Sequence, residues 1–186
     1  MLYLSNKLYN IPLLSLRSAR RIGTIIEPII NPHNLHIDGF YSNIPSQQHP
    51  LILLDVGVRS LSPKGIIIDD NNDLSEPGDL IRLKPVLDIN FKILEKSVLS
   101  GKKKMGKVVE YAIDQESLFI QKIYTQPSIW QGINQHRLTF DRASVIEVTD
   151  THIIVSSSEE KLTKKVTLQN PSVQTSYSAS NSLIKE

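Results

Sequence analysis

Five histidines, nineteen carboxylates and no cysteine make up the chain's stock of titratable groups suited to catalysis or metal binding. Without cysteine there can be no disulfide framework, thiolate nucleophile, or Cys-ligated zinc or iron–sulfur site. The histidines, His33, His36, His49, His136 and His152, are scattered along the chain. His33 and His36 are three apart, but in a turn entering a strand they should point different ways, and no carboxylate cluster accompanies them. They read as surface or turn histidines. A glycine-rich phosphate loop before a helix is absent, and so is a Gly-x-Ser-x-Gly nucleophile turn. Two carboxylate pairs recur along the chain, Glu27 with Glu110 and Asp55 with Asp141. Paired carboxylates run acid–base chemistry only when they share one cleft. Here each member is expected to serve one of two separate units, as a buried hydrogen-bond acceptor or a turn cap. No catalytic residue, cofactor or metal is expected, and the chain does not read as an enzyme.

What remains is chemistry of contact. Lys102, Lys103, Lys104 and Lys107 crowd one turn, and Arg17, Arg20 and Arg21 crowd another. A solvated hairpin is the simpler reading of such a run. The sharper one is a docking patch for RNA phosphate or an acidic protein face. No interleaved aromatics support base stacking. The single tryptophan, Trp130, lies with Ile129 and Ile133 in a polar loop, Gln126–Arg137, where it either caps a core or anchors a partner. Negative charge collects between residues 66 and 80, at Asp69, Asp70, Asp73, Glu76 and Asp79. Asp69–Asp73 offers oxygen ligands but lacks the glycine and glutamate of an EF-hand loop, so it reads as a solvated linker.

The elements that position these groups come in two copies. Shifting the chain by 83 residues lays Ile22–Tyr41 on Met105–Tyr124, with six of 20 pairs identical: Gly23/Gly106, Glu27/Glu110, Ile30/Ile113, Leu35/Leu118, Ile37/Ile120 and Tyr41/Tyr124. About one match is expected from average composition. Each copy continues into a second matching stretch. Leu53-Leu54-Asp55 leads to Gly65–Ile68, and Thr139-Phe140-Asp141 leads to His152–Val155.

Short runs rich in Ile, Val, Tyr and Thr, bounded by Asn, Asp, Pro and Gly, predict strands. Ile25–Ile30 and Lys107–Ile113 are the outgoing arms, and Leu35–Tyr41 and Leu118–Tyr124 the returning ones. Leu35/Ile37 and Leu118/Ile120 are expected on the inner face. Gly23 and Gly106 suit a positive φ or a tight corner. Glu76–Leu83 is the one helical candidate, with Pro85 expected to stop it. Asp69–Asp79 should lie outside the two units. Residues 171–182, five serines among little that is apolar, predict disorder, and Lys161–Leu168 could be a last edge strand.

The formal charge of +2 gives no reason to invoke a polyanion for the whole chain. The longest apolar runs are about four residues where a spanning helix needs roughly 20, so no transmembrane segment is predicted. The amino terminus shows no signal-peptide pattern.

Leu14–Tyr41 with Leu51–Ile68, and Val98–Tyr124 with Leu138–Val155, resemble the PRC-barrel family in their charged turn, Gly-x-Val/Ile opening, Asp-containing strand and Ile-rich strand. The resemblance implies a mostly β chain. Residues 1–75 would form one PRC-barrel-like domain, 76–90 a short helical connector, 91–158 a second domain and 159–186 a disordered tail. Each barrel would hold about five or six strands. Each barrel would be marginal alone, so the halves should pack together and unfold together. Such barrels occur in a bacterial ribosome-maturation factor and in the photosynthetic reaction-centre H subunit, and neither barrel is catalytic. The expectation is therefore a cytoplasmic protein-binding or scaffold module, with a ribosomal or RNA-associated protein as partner. Trp130, Ile129, Ile133, Lys102, Lys103, Lys104 and Lys107 are its expected contact residues. Direct RNA binding through Lys102–Lys107 is the alternative, and an adaptor role on a membrane complex is the third reading.

Overall fold

The computed structural model describes residues 1–126 and 137–156. The described residues are mostly β, with fourteen strands in two sheets and one short α-helix. Met1–Ser156 forms one compact unit. The expected tail, the edge strand at Lys161–Leu168, and Ile129, Trp130 and Ile133 lie outside the described residues.

After a short first strand, β1 (Leu2–Leu4), the first sheet is built from seven strands. They are β2 (Ile11–Ser15), β3 (Arg20–Asn31), β4 (His36–Asn43), β5 (Leu51–Leu54), β6 (Ser60–Ser62), β7 (Gly65–Ile68) and β8 (Leu74–Ser75). The helix α1 (Lys84–Ile89) follows. The second sheet holds β9 (Ser97–Ser100), β10 (Lys103–Asp114), β11 (Ile120–Gln126), β12 (Leu138–Asp141), β13 (Val145–Val148) and β14 (His152–Val155), with β1 paired to β10.

Six strands follow the same order in both, β6-β7-β2-β3-β4-β5 in one and β13-β14-β9-β10-β11-β12 in the other, and β8 extends the first beyond β5. Each contains one parallel pair, β2 with β7 and β9 with β14, in otherwise antiparallel ladders. One sheet curls into half a barrel. The two closed barrels expected from the sequence are thus met only in part, as two open sheets.

The 83-residue shift reaches down to the irregularities of the ladders. β3 and β10 are both 12 residues long. Ile22 and Met105 are each an extra residue against the preceding strand, and Ile26 and Val109 against the following one. On the returning strands Asp38 and Gln121 are the extra residues. A bulge re-aims side chains and increases local twist, so three bulges at matched positions bend both sheets alike. The glycines beside the first bulge solve that bend differently. Gly106 takes a positive φ of 108°, whereas Gly23 does not. A β-carbon at Gly23 would come within 2.5 Å of the Asn43 carbonyl oxygen, so close approach requires glycine there.

Several expectations need correction. Leu35 and Leu118 are not strand residues. Both adopt the left-handed conformation (φ 58° and 54°) at the end of the turn, still buried. Each amide closes that turn on the carbonyl four residues back, Asn31 and Asp114, at 2.9 Å. Asp55 and Asp141 are not equivalent. The ladders pair Phe40 with Leu53 and Ile123 with Phe140, so this region matches at a shift of 87 and Asp55 corresponds to Arg142. The helix does not fill Glu76–Leu83. That stretch begins with one 3-10 turn (Pro77–Asp79), and α1 starts at Lys84 with Pro85 in its first turn, where the missing N–H costs nothing. Nor does Asp69–Asp79 stay outside, because β8 pairs with β5 through Ile52↔Ser75 and Leu53↔Leu74.

The halves are joined in three ways. β1, from the expected first domain, adds to the second sheet through Leu2↔Asp114, Tyr3↔Ile113 and Leu4↔Ala112. The two hairpin turns meet in a reciprocal bridge: Ile37 N–H donates to Leu118 O at 3.1 Å and Ile120 N–H to Leu35 O at 2.9 Å. Since 37/120 and 35/118 are matched pairs, this junction has a local two-fold pattern. One continuous core runs from Tyr3 through Phe40 and Ile66 to Tyr111, Ile123 and Val155. A smaller core of Ile29, Ile52, Leu83 and Val86 forms where the connector packs on the outer face of the first sheet.

Candidate functional site

The lysine cluster sits on the β9–β10 hairpin. Its two-residue loop, Gly101-Lys102, closes with Gly101 at φ 57°, a conformation that glycine adopts without strain. Lys102, Lys103 and Lys104 are exposed, and none forms an ion pair among the described residues. Lys107 stands apart from them, 3.6 Å from the Glu95 carboxylate. Met105, between the two, packs against the core. The hairpin therefore carries three unpaired cations at its tip and a fourth, neutralised one further along the strand.

The matching β2–β3 hairpin has a four-residue loop, and two of its three arginines are held by internal hydrogen bonds, while Arg20 is exposed. Arg17 donates to Asp70 at 2.8 Å. Arg21 donates to the Gly23 carbonyl at 3.0 Å and to the Thr24 hydroxyl. Arg59 forks onto Asp69. Hydrogen bonding from these guanidinium groups holds both Asp69 and Asp70 below the usual carboxylate range. Asp73 accepts from the Asp69 and Asp70 amides and caps the 3-10 turn Asn71–Asp73. The acidic linker is thus arginine-paired and backbone-capped. Among the described residues no group of three His, Asp or Glu side chains could hold a metal ion.

The carboxylates that recur in the sequence are placed apart. Glu27 pairs with Lys92 at 2.6 Å and Glu110 lies 3.7 Å from Arg137, each on its own sheet. Both are partly exposed ion pairs where a buried acceptor or a cap was expected. Asp141 receives Lys122 at 2.7 Å across β11–β12.

One cluster was hidden in the sequence by the single-residue slip that matched Asp55 to Asp141. At the two-fold junction the matched residues His36 and Phe119 stack edge-on, with ring centroids 4.6 Å apart. The matched pair Asp55 and Arg142 flank them. Asp55 lies 3.9 Å from His36 Nε2, and the Arg142 guanidinium lies 4.1 Å over the Phe119 ring while donating to Asn34 O. His36 Nδ1 is 2.7 Å from Asp38. Arg142 reaches across to the first repeat through Asn34 O, while Asp55 faces His36 of its own repeat. His33 is exposed and does not join His36. The candidate contact residues are not brought together either: the lysines form one tip, while Ile129, Trp130 and Ile133 fall outside the described residues.

A buried polar group completes the survey. The Tyr111 hydroxyl is enclosed and lacks a hydrogen bond of good geometry. Burial, then the neighbouring Tyr9 and Glu27, push its ionisation well above the usual tyrosine value, so it stays neutral. No protein-family model matches the chain, and no curated protein is significantly similar to it. Among the described residues no helix is long and apolar enough to cross a membrane.

Proposed function

We propose that the chain is a non-catalytic docking module of the tandem PRC-barrel type, acting in the cytoplasm on a ribosomal or RNA-associated protein. The observation that carries this reading is the contrast between two matched hairpins. The first has two of its three arginines, Arg17 and Arg21, held by internal bonds, and the second presents Lys102, Lys103 and Lys104 with no ion-pair partner among the described residues. A duplicated scaffold has diverged at one exposed tip. Unpaired surface cations raise encounter rates and select an oppositely charged partner more than they add affinity. The spread of the carboxylates over separate sheets, and the use of His36, Phe119 and Arg142 at the junction of the repeats, support the non-catalytic part of the reading.

The test is a pull-down of the full chain from cells of its source, with and without nuclease, beside a variant carrying Lys102→Gln, Lys103→Gln and Lys104→Gln. A partner that persists after nuclease and is lost with the variant is the expected result. Persistence of the same partner on the variant would remove the hairpin from the proposal.

Direct RNA binding is the second reading, favoured by the same exposed lysines facing phosphate. Three phosphate contacts would give the wild-type chain a salt slope of roughly two to three in log–log terms, and the triple variant should lose it. A salt-independent interaction, or one abolished by an acidic peptide but not by RNA, favours protein. Attachment to a membrane complex through another subunit is a third reading, which a nuclease-resistant membrane-protein partner in the same pull-down would favour.

A further inference from the structure

The connector that packs on the first sheet does not cover it completely. A groove of about 560 Å³ runs between it and the β4–β5 face, lined by Asp38, Leu54, Asp55, Asp79, Leu80, Ile81, Arg82 and Leu83. Its apolar wall continues the small core of Ile29, Ile52, Leu83 and Val86, against which Leu54 and Leu80 also pack. Ile81 on the wall is 80% exposed, and Val56, next along the chain from the lining residue Asp55, is 79% exposed. A large aliphatic side chain left in water on the wall of an apolar groove, as Ile81 is, marks a surface that another chain can cover.

The charge of the groove says what kind of chain. Three carboxylates line it against one guanidinium, a balance of minus two. Asp79 makes no ion pair among the described residues, and Asp55 has only the distant His36 ring at 3.9 Å. Asp38 is already satisfied by Asn31 and His36. A cationic side chain entering the groove therefore finds two carboxylates with spare accepting capacity beside an aliphatic wall. The second repeat cannot offer the same surface. At the matched positions Ile52 becomes Thr139 and Leu54 becomes Asp141, both exposed, and no connector packs there among the described residues.

We infer that this groove docks a short segment of a basic partner protein, an aliphatic side chain flanked by arginine or lysine. The inference rests on the docking reading above but uses a different face, of opposite charge to the lysine hairpin. The two surfaces could hold one partner at two points or two partners at once.

The test uses the full chain and a short amphipathic peptide of leucine, alanine and arginine, with a counterpart in which glutamate replaces arginine. Amide shifts are followed by NMR and affinity by fluorescence anisotropy. Saturable shifts at Leu54, Asp55, Leu80 and Ile81 with the arginine peptide alone are expected. Asp79→Asn and Ile81→Ser should each weaken binding by about tenfold, with thermal unfolding midpoints unchanged because both side chains are on the surface. Absence of saturable shifts, equal binding of the glutamate peptide, or variants that bind like wild type would overturn the proposal. So would a wild-type dimer in sedimentation that Ile81→Ser makes monomeric, which would assign the groove to a second copy. If the shifts are absent while the pull-down still retains a nuclease-resistant partner lost with the lysine variant, the groove fails and the docking function stands.

Discussion

Asp114 shows how a single residue's role depends on position more than on type. Its counterpart in the first repeat is Asn31, and both accept an amide hydrogen bond that closes the hairpin turn. As a carboxylate, Asp114 accepts from the Ser117 amide and hydroxyl, and more weakly from the amino terminus and the Glu116 amide, which together lower its ionisation to about 2. A folded-state value below the unfolded one favours the native state wherever the group is ionised. That contribution is complete above about pH 4 and is lost as pH falls toward 2. The carboxyl should therefore titrate near 2 in a carbon-detected NMR experiment. Asp114→Asn should flatten the fall of the urea midpoint between pH 4 and 2, and Asp69 and Asp70, lowered by their arginine partners, should contribute to the acid sensitivity that remains. A titration at the ordinary carboxylate value would contradict the geometry of this turn. The same scale explains what sequence reasoning missed: His36, Phe119, Asp55 and Arg142 are four different residue types. The 83-residue shift lays His36 on Phe119, but nothing in the identities of Asp55 and Arg142 announces that they flank the same junction.

At the scale of elements, the connector is the informative piece. Pro85 looks like a terminator in the sequence and in the structure opens the helix, because a proline's missing N–H is harmless only in the first turn. The helix then has one apolar side to bury, and Leu83 and Val86 find Ile29 and Ile52. On the second sheet Ile52 and Leu54 are answered by the exposed, polar Thr139 and Asp141, so the connector finds its apolar patch only on the first. Leu83→Ala should cost about 2 kcal/mol, the low end for a buried leucine, because the small core can partly collapse. Thr139→Ala, at the position matching Ile52, should stay within about 0.5 kcal/mol. Urea unfolding of the two variants measures the contrast, and equal effects would mean that the connector contributes nothing to stability.

For the whole molecule, the question is whether two repeats make two units or one. β1 crosses from the start of the chain to the second sheet, the hairpin turns exchange amide bonds, and one core passes through both halves. The halves should therefore open together. In native-state hydrogen exchange, the Ile37 and Ile120 amides at the junction are expected to exchange only by the global opening that releases Ile66 and Ile153 in the parallel pairs. Faster exchange at the junction alone would show the halves separating before either unfolds.

The sequence by itself determined the β character, the 83-residue repeat and the hairpins of each copy. These follow from local properties: strand-forming residues, turn residues and apolar alternation act over a few neighbours, and duplication prints the same pattern twice. It also located the lysine tip, because a charged turn is exposed wherever the fold puts it. Only the tertiary structure decided that the sheets stay open, that β1 belongs to the second one, and that Asp55 answers to Arg142. It also decided that the connector leaves an acidic, aliphatic groove. Each of these depends on which surfaces meet far apart along the chain, and side chains separated by tens of residues carry no local sign of their future neighbours.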